Sequence, residues 1–596
     1  MKRKTSLLLV TLPPWGVENP PVGLGYLAEY IQCKGYPVQV MDLNIEFYHF
    51  LKNYYSNLWH LENKNYWSNP STFPLILKLL REPMQEAIGQ ILNIKASVIG
   101  FSVVDPKEHL TIEFIRDLKK RKIDSTIVLG GPACATTQSR MIFTQQISDF
   151  IDAFVFSEGE EPLLEIMRRL DEGKSLEDIP GTVTKHDSEW VCVPSGKPLS
   201  LHSIPFPTYR QFKVEMYLSK RLFVEWSRGC IGRCAFCRNY RIFPHYRSRP
   251  PRDITRELQF HYKENGVRSF IVCDALMNSD LRHLEKVISL IHNNKLDIQW
   301  TGHIAPRRDM DENLFKRMRE AGCYKLQIGV ESGSKKILKL MKRFYTPEDA
   351  EYILKASHKA GIENEIFIVV GFPQEGEREF YETVDFIVRN RAFINRINSI
   401  NTIHLIPGSD IHENSQKYGI ILPKENWHYL WYTENGNDYT VRKKRVELLL
   451  SKTNQLGIEV LQTNIVEGKE NLFDSTFEST FEELKERINN LQRFIHPSEM
   501  SEGVSVIERR LDEEYTQRLE KLRKELKEKK EELRAIQESR GWRWLVRIVR
   551  IKRMVCLSSI RLVKLPKLTI LVIATLIIEA YLILLKRGRK LTIFPE

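Results

Sequence analysis

Short apolar runs alternate with longer helical patterns in two successive series along this chain. In the first series the strand-like runs are residues 6–11, 38–41, 97–103, 126–129 and 153–156, with helical patterns over 23–34 and 107–122. Strands separated by helices predict a parallel sheet covered on both faces. The first fold expectation is therefore an α/β, doubly wound, Rossmann-like domain over residues 1–200. Its turns are rich in small and acidic residues: Pro13-Pro14, Gly130-Gly131-Pro132 and Ser157-Glu158-Gly159. They fall at the carboxyl ends of the runs, where open α/β sheets bind ligands. Taken alone, such turns leave the ligand open. After a linker over 179–212 that has small hairpin character and ends in a Pro-rich bridge near 200–212, the second series has strands at 222–226, 269–272, 299–302, 325–330, 364–370 and 399–406. Each is followed by a helical pattern or a turn. A chain of 596 residues holds more than one such core.

Three cysteines sit directly after the first strand of the second series. Cys230, Cys234 and Cys237 lie in WSRGCIGRCAFCRNY with spacing Cys-x3-Cys-x2-Cys. Three thiolates can ligate three irons of a four-iron, four-sulfur cluster and leave the fourth iron open to a substrate. A structural zinc site wants four ligands, commonly two Cys-x2-Cys pairs, and no second pair exists here. His245, eight residues beyond Cys237, is the alternative fourth ligand; free thiols are the other alternative. Nine cysteines in the whole chain do not make a disulfide framework. Met1-Lys2-Arg3-Lys4 leads straight into an apolar run, so a reducing, cytoplasmic location is expected. Cys273 and Cys323 read as core thiols.

The spacing, with an aromatic residue (Phe236) before the third cysteine, resembles the radical S-adenosylmethionine (SAM) superfamily. That resemblance implies a partial (β/α)6 barrel over 213–423 with its active site at the carboxyl ends of the strands. It implies a 4Fe-4S cluster on Cys230, Cys234 and Cys237, with SAM chelated at the open iron. One electron then breaks the sulfonium bond and yields a 5′-deoxyadenosyl radical, so the cofactors carry the hard chemistry. Phe236, Asp274, Glu331 and Ser332 match the family's SAM contacts, the last two in Glu331-Ser332-Gly333-Ser334. The upstream order PPVGLGYLAEY, IGFS, GGPACATT and FSEGEEPLLEI is similar to the cobalamin-binding domain of cobalamin-dependent radical SAM enzymes. This implies cobalamin contacts at Pro14, Ser102, Gly130, Gly131, Pro132, Thr136, Ser157, Glu158 and Gly159. The Asp-x-His-x-x-Gly motif that gives cobalt a histidine ligand elsewhere is absent from the sequence. So is a cysteine between Cys323 and Cys556, which disfavours an auxiliary cluster and a tRNA methylthio reading.

Charge is uneven. Residues 541–596 carry twelve Lys or Arg against two acids, +10 of the chain's net +13. The rest is nearly neutral, so nucleic-acid binding is not expected and the excess points to a local partner. Residues 424–505 read as a helical cap whose aromatics Trp427, Tyr429, Trp431 and Tyr432 are candidates to close the active site. Residues 506–540 step by threes and fours as a short coiled coil or a single packed helix; a coiled coil would make the protein a homo-oligomer. The apolar stretch 568–585, flanked by cations and interrupted by Glu579, is about long enough to span a bilayer. A tail anchor, an interfacial helix and an oligomerisation helix are the three readings. The expected function is radical methylation of an unactivated carbon on a small-molecule, lipid or lipid-linked substrate at the cytoplasmic face of a membrane. Flavodoxin or ferredoxin would serve as electron donor. Radical cyclisation, rearrangement or oxidation without methyl transfer is the alternative within the enzyme class. A non-catalytic cobalamin- or redox-responsive binding module is the alternative outside it.

Overall fold

The computed structural model describes residues 4–70, 72–423 and 427–464. Strands β1 (Leu7–Thr11), β2 (Val38–Asp42), β3 (Val98–Ser102), β4 (Thr126–Gly130) and β5 (Ala153–Val155) form a parallel sheet in the order β2-β1-β3-β4-β5. An antiparallel hairpin, β6 (Thr182–His186) and β7 (Glu189–Cys192), continues the sheet beyond β5. The hairpin in the linker thus becomes the sheet's edge. Side chains of β1 alternate between two cores, as the period of two requires. Leu7 and Leu9 pack with Leu24 and Ala28 of the helix Val22–Cys33 and with Leu163 and Met167 of the helix Glu160–Glu172. Leu8 and Val10 pack with Phe47, Ile88 and Phe114 from three helices in the opposite core. Burial on both faces is why LLLV and VIGF read as unbroken apolar runs.

The second sheet contains β8 (Arg221–Val224), β11 (Ser269–Val272), β12 (Gln299–Ile304), β13 (Cys323–Glu331), β14 (Glu363–Val370), β15 (Arg396–Thr402) and β18 (Glu459–Thr463). All pairs are parallel, in the order β18-β15-β14-β13-β12-β11-β8, an open half-barrel. Two-residue ladders β9 (Ser227–Arg228) with β10 (Arg247–Ser248), and β16 (Ile420–Ile421) with β17 (Tyr432–Thr433), sit in its loops. The core that covers β1 on its linker side runs on without a break into the half-barrel through Tyr209, Phe212, Tyr217, Leu222 and Val224.

Two expectations change. The half-barrel has a seventh parallel strand, and the described part of the 424–505 segment is not only a helical cap. Helix Tyr439–Gln455 leads back to β18, which pairs with β15. The strand EVLQT is short and half polar, so it carried no apolar-run signal. The segment is fastened by Arg442, whose guanidinium lies 3.7 Å over the Trp431 ring and donates to the carbonyls of Tyr429 and Trp431. Trp431 is therefore core, while Tyr432 is exposed. Residues 506–540 and 541–596, with their coiled-coil and membrane readings, lie outside the described residues. Among the described residues no helix is long and apolar enough to cross a membrane.

Candidate active site

The cysteine loop begins where β8 ends. Asp274, in the loop after β11, accepts from the Trp226 N–H at 2.8 Å and from the Ser227 hydroxyl, and so pins the chain just before the loop. Asp274 is buried. Burial pushes its carboxyl up to about 7, against the opposing pull of those donors. The folded state therefore holds a proton that the unfolded chain releases at lower pH. Stability falls as pH rises through the interval from the ordinary carboxylate range to about 7. An Asp274→Asn protein is expected to lose this component: its thermal melting should depend less on pH between 4 and 8 than that of the parent.

Gly229 turns the chain with φ +83°, and a Cβ there would lie 2.5 Å from the His245 carbonyl oxygen. This close approach explains the glycine before Cys230. The three cysteines follow at the mouth of the half-barrel. Each sulfur has a donor: Gly232 N–H to Cys230 Sγ at 3.3 Å, Asn239 N–H to Cys237 Sγ at 3.3 Å, and Arg343 Nη1 to Cys234 Sγ at 3.1 Å. Burial raises all three thiols, and the donors and the Arg343 charge oppose that rise. The set thus suits sulfur held as thiolate by an electropositive ligand, and it fits an iron–sulfur cluster. No three His, Cys, Asp or Glu among the described residues close around a single metal ion, as mononuclear zinc would require. A cluster places the three thiolates on three different irons. His245 is exposed.

Neighbouring strand ends brace the loop. Ala235 N–H donates to the Met341 carbonyl at 3.0 Å, and its own carbonyl accepts from Ile411 N–H at 2.8 Å. The loops after β13 and β15 thus grip the cysteine segment between them. Phe236 packs on the small core formed by Ile337, Met341, Phe372 and Trp431. Arg343 joins the parts. Its guanidinium pairs with Glu331 and lies 5.5 Å from the Phe236 ring centre and 5.4 Å from that of Tyr345. Glu331 closes β13 at a register shift with φ +62°, in the left-handed region that an L-residue enters at a cost. Burial raises its carboxyl and Arg343 opposes the rise. Gly329 makes room for the pair: a Cβ there would stand 2.9 Å from Glu331 Oε1 and 3.2 Å from Arg343 Nη2.

Of the residues expected at SAM, Phe236 and Glu331 stand beside the cysteines. Asp274 and Ser332 make hydrogen bonds within the protein. Ser332 is fully buried; its Oγ lies 3.1 Å from Thr383 Oγ1 and accepts from Ser334 N–H. Cys323 is buried at the start of β13, whereas Cys273 is exposed at the end of β11, not the core thiol expected. Sequence reasoning did not single out Arg343. It ends a basic run, KLMKR, that reads like the solvated end of a helix.

The expected cobalamin residues share the carboxyl edge of the first sheet. Pro14 follows β1, Ser102 ends β3, Gly130-Gly131-Pro132 follow β4, and Ser157-Glu158-Gly159 follow β5. The strand order reverses between β1 and β3, the position where sheets of this order open a ligand crevice. Gly131, at φ +98°, brings the β4 turn onto the β3 turn; a Cβ would lie 2.6 Å from the Val103 carbonyl oxygen. Thr136 caps the helix Thr137–Ile147 and faces the half-barrel: a Cβ on Gly408, in the loop after β15, would lie 3.7 Å from its methyl group. The edge of the first sheet therefore meets the mouth of the half-barrel. Glu158 is paired with Arg228 and Arg247.

Comparison with known proteins agrees with this architecture. The family model of the radical SAM superfamily matches residues 224–387, from the end of β8 past β14. An uncharacterised methyltransferase of Pyrococcus horikoshii is 24% identical over 397 residues, covering 64% of this chain and 78% of the relative. An anaerobic magnesium-protoporphyrin IX monomethyl ester cyclase of Rubrivivax gelatinosus is 23% identical over 307 residues, covering 49% of this chain and 54% of the relative. Among solved structures, the radical S-adenosylmethionine methyltransferase TsrM from Kitasatospora setae, with cobalamin and a [4Fe-4S] cluster bound, superimposes with TM-score 0.58 at 17% identity. That superposition covers 79% of this chain and 93% of TsrM, so the likeness of fold takes in both sheets. With the three cysteines near its head, the half-barrel segment of residues 224–387 is thus a radical SAM domain by the family model's match.

Proposed function

We propose that this protein is a cobalamin-dependent radical SAM methyltransferase. The observation that carries the reading is the approach of two carboxyl edges: Thr136, in the turn after β4, lies next to Gly408, in the loop after β15 at the mouth of the half-barrel that bears the cysteines. A methyl carrier in the first would stand next to a radical generated in the second. When bound, the cluster supplies the electron that cleaves SAM, and cobalamin supplies the methyl group. The chain's own residues hold and orient. Cys230, Cys234 and Cys237 ligate, and Arg343 keeps Cys234 and Glu331 in place. Phe236 and Glu331 line the SAM side. Pro14, Ser102, Gly130, Gly131, Pro132, Thr136, Ser157 and Gly159 form the cobalamin edge. The substrate reading joins this core to the basic, apolar tail: a lipid or lipid-linked molecule taken at a membrane surface, with a flavodoxin- or ferredoxin-type donor.

The test is incubation of reconstituted, reduced protein with SAM and hydroxocobalamin. Formation of 5′-deoxyadenosine together with S-adenosylhomocysteine is expected. 5′-Deoxyadenosine without S-adenosylhomocysteine would favour cyclisation or oxidation, the second reading, which the similarity to the Rubrivivax cyclase supports. Neither product would leave a binding module. For the tail, deletion of residues 541–596 is expected to move the protein from the membrane fraction to the soluble one; an identical soluble distribution of both forms removes the membrane reading.

A further inference from the structure

The stem of the cysteine loop is tied to the first domain by charge. Arg228 lies two residues before Cys230, and its guanidinium is only 8% exposed. Nη1 reaches Glu158 at 3.0 Å, Nη2 reaches Glu160 at 2.6 Å, and Nε reaches Glu225 at 2.9 Å. Arg247, opposite Arg228 in the β9–β10 ladder, also pairs with Glu158 and donates to the Leu199 carbonyl. Two residues on, the fully buried Arg249 pairs with Glu257 and donates to Tyr26 Oη, on the first helix of the chain, at 2.8 Å. Buried ion pairs add little net stability, since desolvation offsets their attraction, but breaking one strands a charge. Their consequence here is geometric. Glu158 lies in the loop after β5, on the edge assigned to cobalamin, Glu160 opens the helix Glu160–Glu172 that follows it, and Arg228 leads into the loop assigned to the cluster.

We propose that Arg228 is a positioning residue that clamps the cluster loop to the first domain through Glu158 and Glu160, so that Glu158 serves the placement of the cluster and is not a contact of cobalamin. The inference rests on the two cofactors of the proposed function. Its test uses full-length, reconstituted Glu158→Gln, Arg228→Gln and Arg228→Lys proteins and the Glu158→Gln/Arg228→Gln double variant. Three quantities are read: hydroxocobalamin affinity by absorbance titration, iron content, and the electron paramagnetic resonance signal of the reduced cluster as SAM is added. Glu158→Gln and Arg228→Gln should bind hydroxocobalamin within about twofold of the parent and keep their iron. The SAM concentration needed to shift the signal should rise by about tenfold, the scale of losses when a partner behind a metal ligand is removed. Arg228→Lys should recover part of the loss, and the double variant should be no worse than the worse single one. A tenfold loss of hydroxocobalamin affinity in Glu158→Gln with an unchanged SAM titration would overturn the clamp and return Glu158 to the cobalamin site. Additive losses in the double variant would overturn it too. If the parent binds no hydroxocobalamin, the proposed function fails, while the SAM titration still reads the clamp. If Arg228→Gln does not fold, Glu158→Gln and Arg228→Lys carry the same comparison.

Discussion

Cys234→Ser protein, reconstituted with iron and sulfide, is expected to cleave SAM at background rate. Cys234 is the buried member of the three, and the only one whose sulfur receives a charged donor, the Arg343 guanidinium at 3.1 Å. A hydroxyl in the same place is a poor ligand for iron–sulfur chemistry, which selects soft thiolate. It also ionises far less readily than a thiol. Iron content, the absorbance of the cluster and 5′-deoxyadenosine formation should fall together. The fold should survive, because the loop is also held by the Ala235 hydrogen bonds to Met341 and Ile411 and by the Asp274 contacts to Trp226 and Ser227. A serine variant that keeps a full complement of iron and cleaves SAM at the parent rate would refute the assignment of the cluster.

Arg343→Ala should be nearly as damaging, by a different route. The substitution leaves Glu331 buried without its counter-charge, and removing one partner of a buried pair costs about 3–5 kcal/mol. It also withdraws the donor from Cys234 and the cation from the faces of Phe236 and Tyr345. Activity is expected to fall by about 10–100-fold even in the folded fraction, since groups behind metal ligands tune affinity on that scale. Arg343→Lys keeps the charge but loses the planar fork that meets a carboxylate and a sulfur at once. It should regain much of the thermal stability and little of the activity. Glu331→Gln separates the two roles: it removes the carboxylate but leaves the Arg343–Cys234 contact available. Equal melting temperatures for the parent and Arg343→Ala would show that the pair is not structurally coupled.

Much of the fold was legible because parallel strands buried on both faces announce themselves as apolar runs between helical patterns. LLLV, VIGF and FIVV needed no partner to be recognised. β18 did not announce itself, since an edge strand with one covered face and the composition EVLQT resembles a loop. The site divides the same way. Cysteine chemistry is carried by residue type and spacing, so Cys230, Cys234 and Cys237 stand out in one dimension. Glu331 was reachable through its position after a strand. Arg343 and Arg228 were not: each looks like an ordinary surface cation until the chain folds and brings Arg343 against Glu331 and Cys234, and Arg228 against Glu158 and Glu160.

The sequence by itself determined the strand–helix order, the three thiols and the loops that carry them, because these depend on local periodicity and local chemistry. Tertiary structure alone decided which partners the polar residues of these loops find. It tied Ser332 and Asp274 by hydrogen bonds within the protein and drew Glu158 toward Arg228. It also set Arg343 against both Cys234 and Glu331. The physical reason is that a buried charge or hydroxyl must find a partner, and which partner it finds is settled only when distant segments meet.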